Sequence, residues 1–363
     1  MEYFLARPMG LKGRIFNMLA SGLGRRRILA AWDQAEINRV NSANLVIPCP
    51  YCGSSESRLV SRWRITDLFG LFDTDVNRLR TIYALDLPGF IGTKVTSRYR
   101  HLALRWLSGR SYVEYRRCGQ CDLVFQNFPH TPASAKFFYQ NLYRLPDQQE
   151  DQGTGQGIYG RDDERWVSQQ RLIGEAFLRA TSLPPGSRIL DAGCAEGLVC
   201  QYLEEQGMEG HGLETSAAMA NYAQAALHLD HIKCEDYTSA SYPEGFFDGI
   251  VSHHVVEHVV EPYAFFDALA HHLKVGGYLM LQVPCLDNLK TAADHEKILQ
   301  GGHIYCFSEA FLRGALEDRG FFLIDCRHTP CDLKELPTAQ VTKWKTSRWA
   351  DDPCSISILA RRQ

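Results

Sequence analysis

The sequence predicts an α/β protein: a mainly parallel sheet with helices on both faces, preceded by a small cysteine-bearing N-terminal domain. Three observations predict it. After about residue 160, short apolar runs alternate with segments of helical spacing, and strands alternating with helices build a parallel sheet. The run Ile189-Leu190-Asp191-Ala192-Gly193-Cys194-Ala195-Glu196-Gly197 joins an apolar strand to a helix through a turn of small residues. Upstream, four of the twelve cysteines form two Cys-x-x-Cys pairs, Cys49/Cys52 and Cys118/Cys121.

The elements follow in order. Residues 1–45 read as an N-terminal helical extension, Arg-rich and nearly acid-free over the first thirty residues as a transit peptide is, but read here as a solvated or docking helix. Residues 46–145 hold both cysteine pairs, with an Arg- and aromatic-rich insertion between them at about 60–110. Residues 146–160 carry Pro, Asp, Gln and Gly and almost no apolar side chains, which marks a linker. Residues 161–363 form the large domain. Helical spacing covers 163–181, and Pro184-Pro185-Gly186 stops it. Strands are expected at 188–191, 211–214, 231–234, 247–252, 278–283, 321–327 and 355–360, seven in all. Helices are expected at 196–206, 216–227, 261–273 and 308–319. No helical pattern separates the last two strands, so an antiparallel pair at the sheet edge is expected.

Composition sets limits. At 363 residues, two domains are expected. With 45% hydrophobic and 22% charged residues the chain is neither disordered nor collagenous. No apolar run reaches 18 residues, so no spanning helix is expected. The N-terminus lacks the apolar core of a secretory signal, and the scattered cysteines suit a reducing compartment, so the expected location is cytoplasmic. Residues 1–150 carry 21 Lys/Arg against 12 Asp/Glu, and the remainder 18 against 30. The basic half suits a phosphorylated or nucleic-acid partner, or simply the acidic half.

The strand–turn–helix at Asp191–Gly197 is a ligand crevice in chemical terms. Glycine lets backbone approach a ligand, and a helix start presents free N–H groups. Glu214 ends the next strand 23 residues later, where an acid accepts hydrogen bonds from a ribose. The turn lacks the Gly-x-Gly-x-x-Gly spacing, and Asp191 would repel a pyrophosphate but attract an ammonium. The ligand is therefore expected to carry an amine, as S-adenosylmethionine does.

At this point residues 160–363 resemble a class I S-adenosylmethionine-dependent methyltransferase, with a Rossmann-like seven-stranded sheet. Asp191-x-Gly193-x-x-x-Gly197 resembles the family's first motif, with Ala195 in place of its middle glycine. Glu214 resembles the ribose-binding acid, and Asp236-Tyr237 stands where the family contacts adenine. Phe247–His253 resembles the fourth-strand motif, placing Ser252 at the cofactor. Val256-Glu257-His258-Val259 and Leu273-Lys274-Val275-Gly276-Gly277 are similar to two later motifs. The resemblance implies cofactor-binding roles for Asp191, Gly193, Cys194, Gly197, Glu214, Asp236, Tyr237 and Ser252, with Cys194 contributing backbone rather than thiol.

Thiolates two residues apart on a tight turn reach one tetrahedral Zn²⁺. Cys49, Cys52, Cys118 and Cys121, each pair beside a turn glycine, are the expected metal ligands, in a zinc-ribbon-like domain with an unusual gap of 65 residues. Unmetallated thiols are the alternative. The arrangement resembles the N-terminal segment of bacterial sugar C-methyltransferases and their relatives, which implies a structural metal.

A histidine group completes the inventory: His253, His254, His258, His271, His272, His295 and His303. His258 and His303 are the candidate catalytic bases, an imidazole near neutrality being able to take a proton from a hydroxyl or an acidic carbon. His258 could instead only orient its loop. Glu257 is open between a ligand-side acid and a helix-start partner. His271 and His272 read as a solvated helix end. A metal site at His295, His303 and Cys306 is a further alternative, and Tyr159, Arg161 and Arg165 could close over the cofactor or be plain linker.

The resemblance implies methyl transfer to a small-molecule acceptor, a nucleotide-linked or glycan sugar that could be phosphorylated, as in polysaccharide biosynthesis. The rivals are an RNA methyltransferase that grips the strand with its basic zinc segment and a non-catalytic assembly module of the same fold. No basic tract reaches nucleic-acid density, which disfavours a nucleic-acid partner without excluding it. The oligomeric state is left open by the sequence.

Overall fold

The computed structural model of the chain describes residues 46–64, 112–127, 130, 164–288, 303–328 and 355–363. The extension at 1–45, most of the 60–110 insertion, the 146–160 linker, Tyr159, Arg161, His295 and residues 329–354 lie outside the described residues.

Strands β1 (Ser57–Arg64), β2 (Tyr112–Cys118) and β3 (Val124–Gln126) form an antiparallel meander. The β2–β3 turn closes through Cys118 N–H to Leu123 O at 2.9 Å. Its last residues include Asp122, whose left-handed φ of 68° suits a short polar side chain. Asp122 also pairs with Arg117, which locks the turn.

The large domain then alternates as expected. Helix α1 (Glu164–Thr181) leads to β4 (Arg188–Ala192), α2 (Leu198–Glu205), β5 (Glu209–Leu213), α3 (Ala217–Ala226) and β6 (Ile232–Lys233). After them come β7 (Phe247–His253), α4 (Pro262–His272), β8 (Leu273–Pro284), β9 (Tyr305–Cys306), α5 (Glu309–Glu317), β10 (Phe321–His328) and β11 (Ser355–Arg362). Local chemistry sets the helix starts: Pro262 stands in the first turn of α4, and Ser308 caps α5 by accepting from Phe311 N–H at 3.2 Å. Phe177 on α1 is fully buried under the sheet, a burial that stabilises by about 2 kcal/mol.

The seven-stranded sheet runs β10-β11-β8-β7-β4-β5-β6, a Rossmann-like order that reverses between β4 and β7. All pairings from β8 to β6 are parallel. The expected antiparallel pair at the sheet edge is present, with β10 as the edge strand pairing antiparallel with β11. Only β11 is reversed, and within that pair it takes the inner place, between β8 and β10. The physical reason is burial: Ser355–Ala360 are buried at every position, whereas β10 alternates with exposed residues such as Phe322 and Ile324.

A second sheet, β1-β2-β3-β9, crosses the expected domain boundary. Strand β9 from the large domain pairs with β3, with Phe125 opposite Tyr305 and Val124 opposite Cys306. The core is continuous across both parts, Cys49, Leu123 and Phe125 packing in one cluster with Phe265, Phe307, Phe311 and Leu316. None of the described helices is long and apolar enough to cross a membrane.

Candidate active site

The crevice opens where the sheet order reverses, at the carboxyl ends of β4 and β7. The turn after β4 is stitched to β5, because Gly193 and Cys194 N–H both donate to Leu213 O, at 2.9 and 3.0 Å. Gly193 has φ of 90°, and a Cβ there would stand 2.4 Å from Val255 Cγ2. No other residue fits both the left-handed backbone and that close approach. Ala195, in place of the family's middle glycine, is held at φ of 46°. Its N–H donates to Glu214 Oε2 at 3.1 Å, and Ser216 N–H donates to Glu214 Oε1 at 2.7 Å. Glu214 therefore fastens the turn, its Oε1 also accepting from Thr215 Oγ1 at 3.4 Å.

Asp191 is buried beside it. Burial first, and then the Glu214 charge, push its carboxyl up to about 7. Two acids in one desolvated crevice make a place for a cationic group. Ser252, at the end of β7, is buried with its hydroxyl unpartnered among the described residues, which makes it a donor open to a ligand. Asp236 is exposed and caps the turn after it, accepting from Thr238 N–H at 2.9 Å and Thr238 Oγ1 at 2.5 Å. The Tyr237 ring does not line the crevice. It packs on Phe265 at 4.8 Å in the core, so the side chain expected at adenine is structural. Cys194 is buried, and its hydrogen bond with the Cys200 thiol, followed by burial, pushes its thiol well up, which leaves an inert sulfur.

On the other side of the crevice, β7 ends in a loop that turns at His254, with φ of 53°. Glu257 follows it and is fully buried. Burial alone would raise its carboxyl. The hydrogen bond from His254 Nδ1 at 3.0 Å, and the nearby His258 and His303 imidazoles, bring it to about 2 instead. His258 Nε2 stands 3.9 Å from Glu257 Oε1, and the His258 and His303 rings lie 4.9 Å apart. The structure thus brings the two expected bases together around one buried carboxylate, although 45 positions separate them. Glu257, left open by the sequence, is the acid behind this cluster. Donor atoms of Glu257, His258 and His303 lie within 4.8 Å of one another, a set that could also hold a divalent ion.

Two histidine readings are corrected. His272 is buried rather than solvated, against Tyr237 and Tyr242, and burial lowers it to about 4. Cys306 is fully buried in β9, and His303 groups with Glu257 and His258 rather than with it. Sequence reasoning named His254 in the histidine group but not as the partner of Glu257. It missed two residues at this site. Tyr115 and Gln126, which reach His303 from β2 and β3, carry no local signal.

The four cysteines converge. Cys49 Sγ lies 3.6 Å from Cys121 Sγ, and Cys52 Sγ 3.6 Å from Cys118 Sγ. All four sulfurs lie within 4.8 Å of one another. That is too long for disulfides and close to the roughly 3.8 Å edge of a tetrahedron with metal–sulfur bonds of about 2.3 Å. Gly53 takes φ of 74° and closes its turn by donating to Cys49 O at 2.8 Å. In a third donor group, Glu309, Cys326 and His328, His328 Nε2 meets Glu309 Oε2 at 2.8 Å, while His328 Nδ1 lies 3.0 Å from Asn288 Oδ1 and Arg313 donates to Glu309 Oε1 at 2.8 Å.

Comparison with known proteins places this geometry. Residues 165–325 match the family described as a methyltransferase domain. The ubiquinone biosynthesis O-methyltransferase of Bradyrhizobium diazoefficiens is 34% identical over 113 residues, 30% of this chain and 44% of that protein. Phosphoethanolamine N-methyltransferase 1 of Arabidopsis thaliana is 29% identical over 152 residues, 40% of this chain and 30% of that protein. The chain thus spans less than half the length of these curated relatives. A solved S-adenosylmethionine-dependent methyltransferase from Mesorhizobium loti is 23% identical, covering 53% of this chain and 100% of that chain, with a TM-score of 0.42. The residues that match the methyltransferase-domain family include the Asp191–Gly197 turn, Glu214 and the Glu257–His258–His303 cluster.

Proposed function

We propose that the chain is a class I S-adenosylmethionine-dependent methyltransferase whose acceptor is a small molecule presenting an O–H or C–H to the Glu257–His258–His303 cluster. The observation that carries this reading is the pairing of two features across one crevice: a turn fastened by Glu214 and a histidine cluster built on a buried acid. The crevice fits the cofactor. Burial and the Glu214 charge push Asp191 up, and among the described residues no cation pairs with it, so a ligand ammonium would reverse the shift. Asp191 and the Gly193–Gly197 turn would hold the methionine end, Glu214 the ribose and Asp236 the adenine edge.

Held by these residues, S-adenosylmethionine would supply an electrophilic methyl and leave as a neutral thioether. The imidazole pair of His258 and His303 takes the acceptor's proton. Glu257 stabilises the resulting imidazolium through 3.9 Å. His254 already occupies Glu257 Oε1 at 3.0 Å, which favours a proton network over a metal at this cluster.

Cys49, Cys52, Cys118 and Cys121 suit a Zn²⁺ whose four thiolates leave no open position, so its chemistry is cross-linking of the module. A nucleotide-linked or glycan sugar is the first acceptor class to test, on the strength of this module's layout. Binding of an RNA strand is disfavoured because no basic tract reaches nucleic-acid density, and three of the described arginines of the module are already engaged. Arg62 pairs with Glu114, Arg117 with Asp122, and Arg116 donates to Ser57 O at 3.0 Å.

The test is calorimetric titration of the purified chain with S-adenosylmethionine, beside Asp191→Ala and Glu214→Ala. Micromolar binding lost in both variants supports the cofactor assignment, and a panel of sugar nucleotides follows. A folded wild type that binds no S-adenosylmethionine, with or without acceptor present, sinks the reading.

A further inference from the structure

We infer that Tyr115 and Gln126 are positioning residues for the methyl-transfer step, holding His303 in place from the four-cysteine module; the inference rests on the methyltransferase reading above. Both side chains belong to the N-terminal sheet, Tyr115 on β2 and Gln126 on β3. Both are buried. The Tyr115 hydroxyl donates to His303 O at 2.9 Å, and Gln126 Nε2 donates to the same oxygen at 2.8 Å. Gln126 Nε2 also donates to the Tyr115 hydroxyl at 2.8 Å, so the three groups close a triangle. Gln126 Oε1 lies 2.9 Å from His130 Nε2, which fixes the way the amide faces.

The next residue is held from both sides. Gln126 N–H donates to Ile304 O at 2.8 Å, and Ile304 N–H donates to Glu257 O at 2.8 Å. Residues 303 and 304 are therefore pinned between the cysteine module and the very residue whose carboxylate organises the histidine cluster. Satisfying one carbonyl needs one donor. Here two buried polar side chains serve it and a third residue orients them. Burying a hydroxyl and an amide is costly compared with Phe and Leu in the same space. A network in which every member is satisfied rigidifies its surroundings, and the part rigidified is the backbone that carries a candidate base. The four cysteines bracket this network: Cys118 ends β2 three residues after Tyr115, and Cys121 precedes β3. The module thus reaches the chemistry through hydrogen bonds rather than by touching the reacting atoms.

The experiment uses the full chain with ¹³C-labelled histidine rings, the His303 signal being assigned by its loss in His303→Asn. Wild type is compared with Tyr115→Phe and Gln126→Leu at one pH. Each variant removes one donor and leaves the other on His303 O. The expected result is a displaced His303 ring signal in each variant. Turnover on the identified acceptor falls about tenfold or more, while the dissociation constant for S-adenosylmethionine stays within about twofold, far below the tenfold that 1.4 kcal/mol represents. An unmoved His303 signal or an unchanged kcat in a folded variant overturns the inference. So does a loss of cofactor affinity parallel to the loss of kcat, which reports general damage. Should Gln126→Leu fail to fold, Tyr115→Phe removes a single oxygen and carries the comparison. A wild type that binds no cofactor overturns the methyltransferase reading instead, and the ring signal then judges the clamp alone.

Discussion

The Ala195 N–H donates to Glu214 Oε2 at 3.1 Å, joining the turn after β4 to the acid after β5. The bond ties the two halves of the crevice floor before any ligand arrives. It also holds Ala195 at φ of 46°, where an L side chain is strained.

Ala195→Gly is expected to stabilise the chain. Left-handed backbone costs a non-glycine residue roughly 1–2 kcal/mol, and the looser unfolded state of glycine returns about half of that. A net gain of about 0.5–1 kcal/mol in urea unfolding, with cofactor affinity unchanged, is the predicted outcome. A destabilised variant would show that the Ala195 methyl packs better than its backbone strains.

Gly193→Ala is expected to cost more than any surface change. The new Cβ would meet Val255 Cγ2 at 2.4 Å on a backbone with φ of 90°. Overpacking of this kind costs about 1–3 kcal/mol. Val255→Ala in the same chain should recover the steric part and leave the backbone strain. A double-mutant cycle in chemical denaturation measures it, and a coupling near zero would contradict the geometry.

Cofactor affinity should rise with pH through about 7, because Asp191 is raised to about 7 in the free chain. The sign follows from linkage. A raised acid favours the fold below its unfolded value, and that contribution is lost as pH climbs through 7. An ammonium-bearing ligand pairs with the ionised form, so binding at pH 6 must first remove a proton. The expected weakening between pH 8 and pH 6 is about tenfold, with proton release measurable by calorimetry in two buffers. Asp191→Asn should bind weakly with no such slope. A slope retained in Asp191→Asn would assign it to another group.

The four-cysteine cluster should carry one metal ion per chain. Sulfur separations of 3.6 Å already match a coordination tetrahedron. Metal analysis of the purified chain, repeated for Cys49→Ser and Cys118→Ser, is the check. Loss of the ion by chelation should lower the melting temperature by several degrees, since the cluster shares a core with Phe265 and Phe311. A metal-free wild type with an unchanged melt would leave the thiols as packing groups.

Much of the fold was legible. The helix expected at 163–181 is Glu164–Thr181, and the strand expected at 188–191 is Arg188–Ala192. Both are long or strongly apolar, and both end at punctuation the chain cannot ignore. The strand expected at 278–283 begins earlier, at Leu273, because its first residues pair with Phe247 across an irregularity that no local pattern announces. Strand β9 is two residues long and exists only because β3 offers it a partner. The turn at Asp191–Gly197 was legible as a site because glycine spacing and a strand-end acid are local chemistry. The core position of the Tyr237 ring was not, since it depends on where α4 packs.

By itself the sequence determined the alternation of strands and helices, the glycine turn, the two acids that follow the first two parallel strands, and the pairing of cysteines on tight turns. These are short-range properties, set by side-chain period, backbone freedom and reach along the chain. Only the tertiary structure decided what meets across distance. It placed β11 inside the sheet, gathered His258 and His303 on Glu257, drew the cysteine pairs together across 65 intervening residues, and set Tyr115 and Gln126 on the His303 carbonyl. Such meetings follow from burial and from the drive to pair buried polar groups, which act across the whole chain and which no segment can answer alone.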